Sequence, residues 1–73
     1  MSRFVNHDPV VALVDLIATR LESGQPTTTR TAAIQLGWSK GTTGTLYKAA
    51  RKRGWLTDDH IPTQAGLEAT GRI

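Results

Sequence analysis

Residues 29–56 read TRTAAIQLGWSKGTTGTLYKAARKRGWL. The pattern is a helix, a tight turn, a second helix, and a return into an extended segment. The stretch carries Arg30, Lys40, Lys48, Arg51, Lys52 and Arg53, and no Asp or Glu lies between Arg30 and Thr57. The remaining three bases and six acids leave a charge of −3 elsewhere. A basic centre in a slightly acidic frame is the pattern of a polyanion-binding face, although a charge run can also be a plain solvated helix face.

Within this stretch the first helix is capped by Thr28 or Thr29 and runs to about Leu36. Ala33, Ile34 and Leu36 are its apolar contacts, and the small Ala32 and Ala33 let another helix come close. Gly37 ends it, with a positive φ expected. Trp38 follows in the turn as a core plug, with base stacking as the minor alternative. Ser39 caps the next helix, which continues to about Arg53 and stops at Gly54. Its inward face is expected to be Thr43, Leu46 and Ala50, with Tyr47 or Ala49 at the margin. Gly41, Thr42, Gly44, Thr45, Lys48 and Lys52 then point outward. Glycines and threonines in the first turns of a helix cost about 0.5–1 kcal/mol each relative to Ala. Gly41 and Gly44 are therefore either a surface for close approach to a phosphate or base edge, or simple looseness.

Upstream, Asp8 caps a helix with Pro9 at its first position, where the missing N–H costs nothing. Val10, Leu13, Val14, Ile17 and Leu21 recur at helical spacing on one face, which reads as scaffold. Gly24 and Pro26 end that helix. Before it, Arg3-Phe4-Val5 is a short apolar lead-in. Downstream, Trp55–Thr57 and His60-Ile61 read as two short strands around an Asp58-Asp59 turn, with Pro62 at the edge because it cannot donate to a ladder. Thr63 can cap a last helix from Gln64 to about Thr70, offering Ala65, Leu67 and Ala69 for packing, before Gly71 ends it. The fold class expected is mainly α with a small β-hairpin, in a single domain spanning residues 1–73.

Seventy-three residues is near the lower size limit for a core without staples. The absence of Cys excludes disulfides and zinc–thiolate sites and fits a reducing cytoplasm. No apolar run approaches the ~18–20 residues of a membrane span, and the N-terminus has no hydrophobic signal core. The initial Met and the early Asp8-Pro9 point to a complete small protein. No cofactor or small-molecule ligand is evident, and catalysis finds little support. His7 and His60 are far apart, His7-Asp8 is explained by capping, and the consecutive Asp58-Asp59-His60 cannot all converge on one ion. Ser39-Lys40-Gly41-Thr42-Thr43-Gly44 lacks the Gly-Lys-Ser/Thr order of a phosphate loop and follows no buried strand.

The motif spacing Ala33, Gly37, Ser39, Leu46 matches a helix-turn-helix: the Ala permits close crossing, the Gly makes the turn, the Ser caps, and the Leu fills the core. Gly54-Trp55-Leu56 then stands where a winged-helix protein turns from its recognition helix into the wing. Thr63-Gln64-Ala65-Gly66 looks like the Thr-x-x-Gly that follows the wing in many MarR-like proteins. From about Asp8 to Gly71 the chain resembles a minimal winged helix-turn-helix domain with a three-helix core, a two-stranded wing and a short C-terminal helix.

That resemblance implies sequence-specific binding of double-stranded DNA, as in a small bacterial or phage transcriptional regulator such as a repressor, with helix 3 in the major groove. Lys40, Thr42, Thr45 and Lys48 are then the candidates for base edges. Thr28, Thr29, Arg30, Ser39, Gly41, Gly44, Arg51, Lys52 and Arg53 are the candidates for phosphates, the N-terminus of helix 2 offering backbone N–H groups. The resemblance has two departures. The wing tip is acidic where many relatives carry Arg or Lys, with His60 the one candidate for contact. The sequence of residues 1–73 leaves no room for the long terminal helices through which MarR-like proteins dimerise, so a homodimer is expected to use a smaller surface such as Phe4, Val5 or the final helix, with a cooperative array on DNA as the alternative. Left-handed nucleic-acid readers also carry a pair like Leu46-Tyr47, but this chain has Thr43 where they have Asn. The alternative function is a protein-interaction module that turns the same basic face to an acidic partner, with Tyr47 or Trp55 as apolar anchors.

Overall fold

The computed structural model describes residues 8–73. It contains four helices: α1 (Pro9–Glu22), α2 (Thr29–Leu36), α3 (Lys40–Lys52) and α4 (Gln64–Ala69). Each begins at the cap that its chemistry dictates. The Asp8 carboxylate accepts from the Val10 N–H, and the hydroxyls of Thr28, Ser39 and Thr63 accept from the N–H groups of Thr31, Thr42 and Gly66. Thr28, not Thr29, caps α2. The expected lead-in Arg3-Phe4-Val5, with Phe4 and Val5 as a dimer surface, and His7 lie outside the described residues.

Helix α1 lies against all three other helices, and α2 packs on α3. The expected stripe of α1 is buried at Val10, Leu13, Val14 and Ile17, together with Val11 and Ala18, whereas Leu21 is exposed. Each large side chain so buried contributes about 1.5–3 kcal/mol before entropy. Ala32, Tyr47, Ala50 and Leu56 complete the core, and Leu36, Leu46, Trp38 and Trp55 pack half-buried against it.

Two inward-facing assignments change. On α3 the fully buried ring is that of Tyr47, and Leu46 moves to the margin. On α2, Ile34 is 70% exposed, because Ala32, Ala33 and Leu36 already occupy the inward arc of that helix. Thr43 is buried at no polar cost, since its hydroxyl donates to the Ser39 carbonyl at 2.8 Å.

The two-stranded wing is not formed, and the described residues contain no strand. Between α3 and α4 there is one isolated antiparallel bridge, Leu56 with Pro62. The Thr57 N–H donates to the Ile61 carbonyl and the Thr63 N–H to the Trp55 carbonyl, each at 2.9 Å. Pro62 thus occupies a position that needs no N–H, as its chemistry requires. A second rung would need the Ile61 N–H on the Thr57 carbonyl. Instead the Thr57 hydroxyl oxygen takes the N–H groups of Asp59 and Ile61, and the Thr57 carbonyl takes that of His60. One threonine side chain therefore replaces the hairpin with a tight loop.

The Thr-x-x-Gly segment has a physical explanation here. Thr63 caps α4 and also donates to the Gly54 carbonyl at 2.6 Å. Gly66 sits where a Cβ would come within 2.3 Å of the Trp55 carbonyl oxygen, so no side chain fits. Of the residues expected to pack α4, Ala65 is exposed while Leu67 and Ala69 are half-buried; Gly66 and Thr70 are the buried ones. The C-terminal end is tied down by Arg72, which donates to the carboxylates of Asp15 at 3.0 Å and Glu22 at 2.7 Å and to the Thr19 hydroxyl.

Candidate nucleic-acid interface

The turn that aims α3 is three residues long, Gly37 to Ser39. Gly37 adopts the left-handed region at φ 71°, and both its N–H and that of Trp38 return to the Ala33 carbonyl. This closure leaves Trp38 packed on the core, so base stacking by Trp38 finds no support in its position. With the Thr43, Tyr47 and Ala50 side of α3 buried, a helix of 3.6 residues per turn presents Gly41, Thr45, Lys48 and Lys52 as one line on the opposite side. All four are exposed, as are the flanking Lys40 and Thr42.

The candidate cations divide into two groups. Among the described residues, the side chains of Arg30, Lys40, Lys48 and Lys52 are exposed and have no hydrogen-bond or ion-pair partner. Arg51 and Arg53 are engaged by other groups of the same chain. Arg53 pairs with the Asp8 carboxylate at 2.9 Å and lies over the Trp55 ring at 4.8 Å. Arg51 meets Nε2 of His60 at 2.6 Å; since a guanidinium can only donate, that imidazole nitrogen is the acceptor. The acid-free stretch is thus not acid-free in space, because the fold brings Asp8 to its C-terminal end. The Arg53 hydrogen bond, with the Val10 N–H beside it, holds the Asp8 carboxyl below the ordinary carboxylate range despite partial desolvation.

The hydroxyls also divide. Thr45 donates its proton to the Gly41 carbonyl at 3.0 Å, which leaves it lone pairs and a methyl for any outside contact. Ser39 accepts from the Thr42 N–H and donates to the Thr42 hydroxyl oxygen at 2.9 Å, which leaves the Thr42 proton available. At the start of α2, Thr28 and Thr31 are bonded to each other, while the first-turn N–H groups of Thr29 and Arg30 are of the kind that helices leave without intrahelical partners.

Gly41 and Gly44 are not needed by the fold. Their φ angles are not positive, and a Cβ at either would meet nothing within 4 Å. Tyr47, by contrast, is only 2% exposed, so it offers neither a base nor a protein partner an anchor. Burial pushes its phenol up from the usual value, and its hydroxyl has no hydrogen-bond partner. No group of three or more potential metal ligands occurs among the described residues. None of the described helices is long and apolar enough to cross a membrane.

No protein-family model matches the chain, and neither the curated proteins nor the solved structures yield a match.

Proposed function

We propose that this is a domain that binds double-stranded DNA, with α2 and α3 acting as a helix-turn-helix and α3 as the element that enters the major groove. One observation carries the reading: the exposed line Gly41, Thr45, Lys48, Lys52 runs the length of α3, opposite its buried face, with both lysines unpartnered among the described residues. A major groove about 12 Å wide admits a helix, and a helix face with small residues at its N-terminal half and lysines at its C-terminal half fits that geometry. In this reading Lys48 and Lys40 reach acceptors such as guanine N7 and O6. Thr42 donates to a base edge or phosphate, and Thr45 accepts from a base amino group or touches a thymine methyl. Lys52, Arg30 and the first turn of α2 hold phosphates. The function is that of a small transcriptional regulator.

The test is the affinity of the protein for a fluorescently labelled mixed-sequence duplex across a salt series. On a duplex without a specific site the four unpartnered cations among the described residues meet phosphates rather than base edges, and at about −0.9 each they predict a log–log slope near −3.6. Lys48→Ala should flatten that slope by roughly one unit, whereas Arg53→Ala should leave it nearly unchanged and act on stability. Absence of duplex binding at low salt would sink the proposal and turn attention to an acidic protein as the partner of the same face.

A further inference from the structure

Resting on the DNA reading, the loop 57–61 has a role of its own. Asp58 and Asp59 are exposed at its tip, yet the loop is held firmly. The Thr57 hydroxyl and carbonyl oxygens together take three of its N–H groups. His60 is the one residue other than glycine with positive φ among the described residues, at 62°. A non-glycine residue there costs about 1–3 kcal/mol and persists only where its surroundings over-determine it. The surroundings here are two residues of α3. The His60 ring lies 4.5 Å from that of Tyr47, tilted at 43°, and its Nε2 accepts from Arg51 at 2.6 Å. Tyr47 and Arg51 alternate along α3 with Lys48 and Lys52, the lysines of the exposed line. A glycine at position 60 would make the turn without strain but would lose both attachments.

We infer that His60 is a positioning residue that holds the loop carrying Asp58 and Asp59 to α3, so that their carboxylates oppose the phosphate backbone and lower the affinity for arbitrary DNA. Attraction by the unpartnered lysines is independent of base sequence. A pair of negative charges carried on the held loop subtracts from that term and leaves base-edge contacts intact. The effect of such a device is specificity, through repulsion of the wrong complex.

The experiment compares the wild-type chain with D58N/D59N and with H60G on the same mixed-sequence duplex, at about 50 mM and about 200 mM salt, the range over which phosphate-driven binding changes steeply. D58N/D59N should bind about three- to tenfold more tightly at the lower salt, with the gain shrinking at the higher one as screening increases. H60G keeps the carboxylates but frees them, and should recover part of that gain; circular dichroism establishes that it is folded. Because H60G also releases Arg51 as a further cation, the comparison is repeated in R51A, where a purely structural role for His60 predicts no gain in affinity of H60G/R51A over R51A. Equal affinity of wild type and D58N/D59N overturns the inference while leaving the DNA reading standing. Failure of all three proteins to bind overturns both. Tighter binding by D58N/D59N with none by H60G rejects the positioning role of His60.

Discussion

Asp8 shows how much one side chain can do. It caps α1, satisfies a first-turn N–H, and pairs with Arg53 from the far end of α3, tying together the two helices that form most of the core. Loss of such a cap costs about 1 kcal/mol, which in a domain of this size lowers Tm by roughly 4–8 °C. Asp8→Ala should show at least that loss at neutral pH, read by thermal denaturation. The pair also has a pH signature. The folded-state pKa of Asp8 lies below its ordinary value, so its contribution is present above that ordinary value and is lost as pH falls through the folded pKa. Tm followed from neutral pH to about pH 3 should therefore fall less steeply in Arg53→Ala than in wild type. Parallel curves would show that the pair is too solvated to matter, as many surface ion pairs are.

Under the proposed function, helix α3 is a conflict between stability and use. Its capping by Ser39 and its buried Thr43, Tyr47 and Ala50 favour the helix, while Gly41 and Gly44 weaken it without relieving any clash or supplying a positive φ. Replacing a helical Gly by Ala gains about 0.5–1 kcal/mol. Gly41→Ala and Gly44→Ala should each raise Tm by a few degrees and at the same time weaken duplex binding, because the added methyl holds the backbone away from the groove. A rise in Tm with unchanged DNA affinity would show that these glycines are merely loose. The sequence identified α3 as the element of interest because charge, capping and apolar period all coincide in it. It misjudged which of Leu46 and Tyr47 faces inward, since a period of 3.6 leaves adjacent positions only 100° apart. It also could not tell the available cations from the engaged ones, for Arg53 and Arg51 find their partners at Asp8 and His60, the first far away in the chain.

The molecule as a whole is closed by contacts that join its ends. Gly66 lets α4 lie on the Trp55 carbonyl, and Arg72 fastens the C-terminal end to Asp15, Thr19 and Glu22 of α1. Gly66→Ala forces a Cβ into backbone that cannot yield, and should cost more than about 2 kcal/mol. Arg72→Ala leaves carboxylates that reach water more easily, and should cost about 1 kcal/mol. Chemical denaturation of both variants checks the order, and equal losses would contradict this account of how α4 docks. If the proposed function holds, four available cations among the described residues should hold DNA weakly alone, so binding as a dimer or as a cooperative array on neighbouring sites is expected. Sedimentation that gives a monomer both free and on a saturated specific site would reject that expectation.

Local chemistry was enough to mark the four helices and, to within about a residue, their ends, although Thr28 and Thr29 stood as equal candidates to cap α2. Asp8, Thr28, Ser39 and Thr63 can satisfy first-turn N–H groups with their own oxygens, and Gly37, Gly54 and Gly71 can turn left-handed at little cost, whatever the rest of the chain does. The lysine line of α3 followed from the same periodicity. Only the tertiary structure decided three further things: that Thr57 diverts the N–H a wing would need, that Asp8 neutralises part of the basic stretch, and that Ile34 stays in solvent. Each depends on which groups compete for one donor, one charge or one patch of core, and that competition exists only once distant parts of the chain have met.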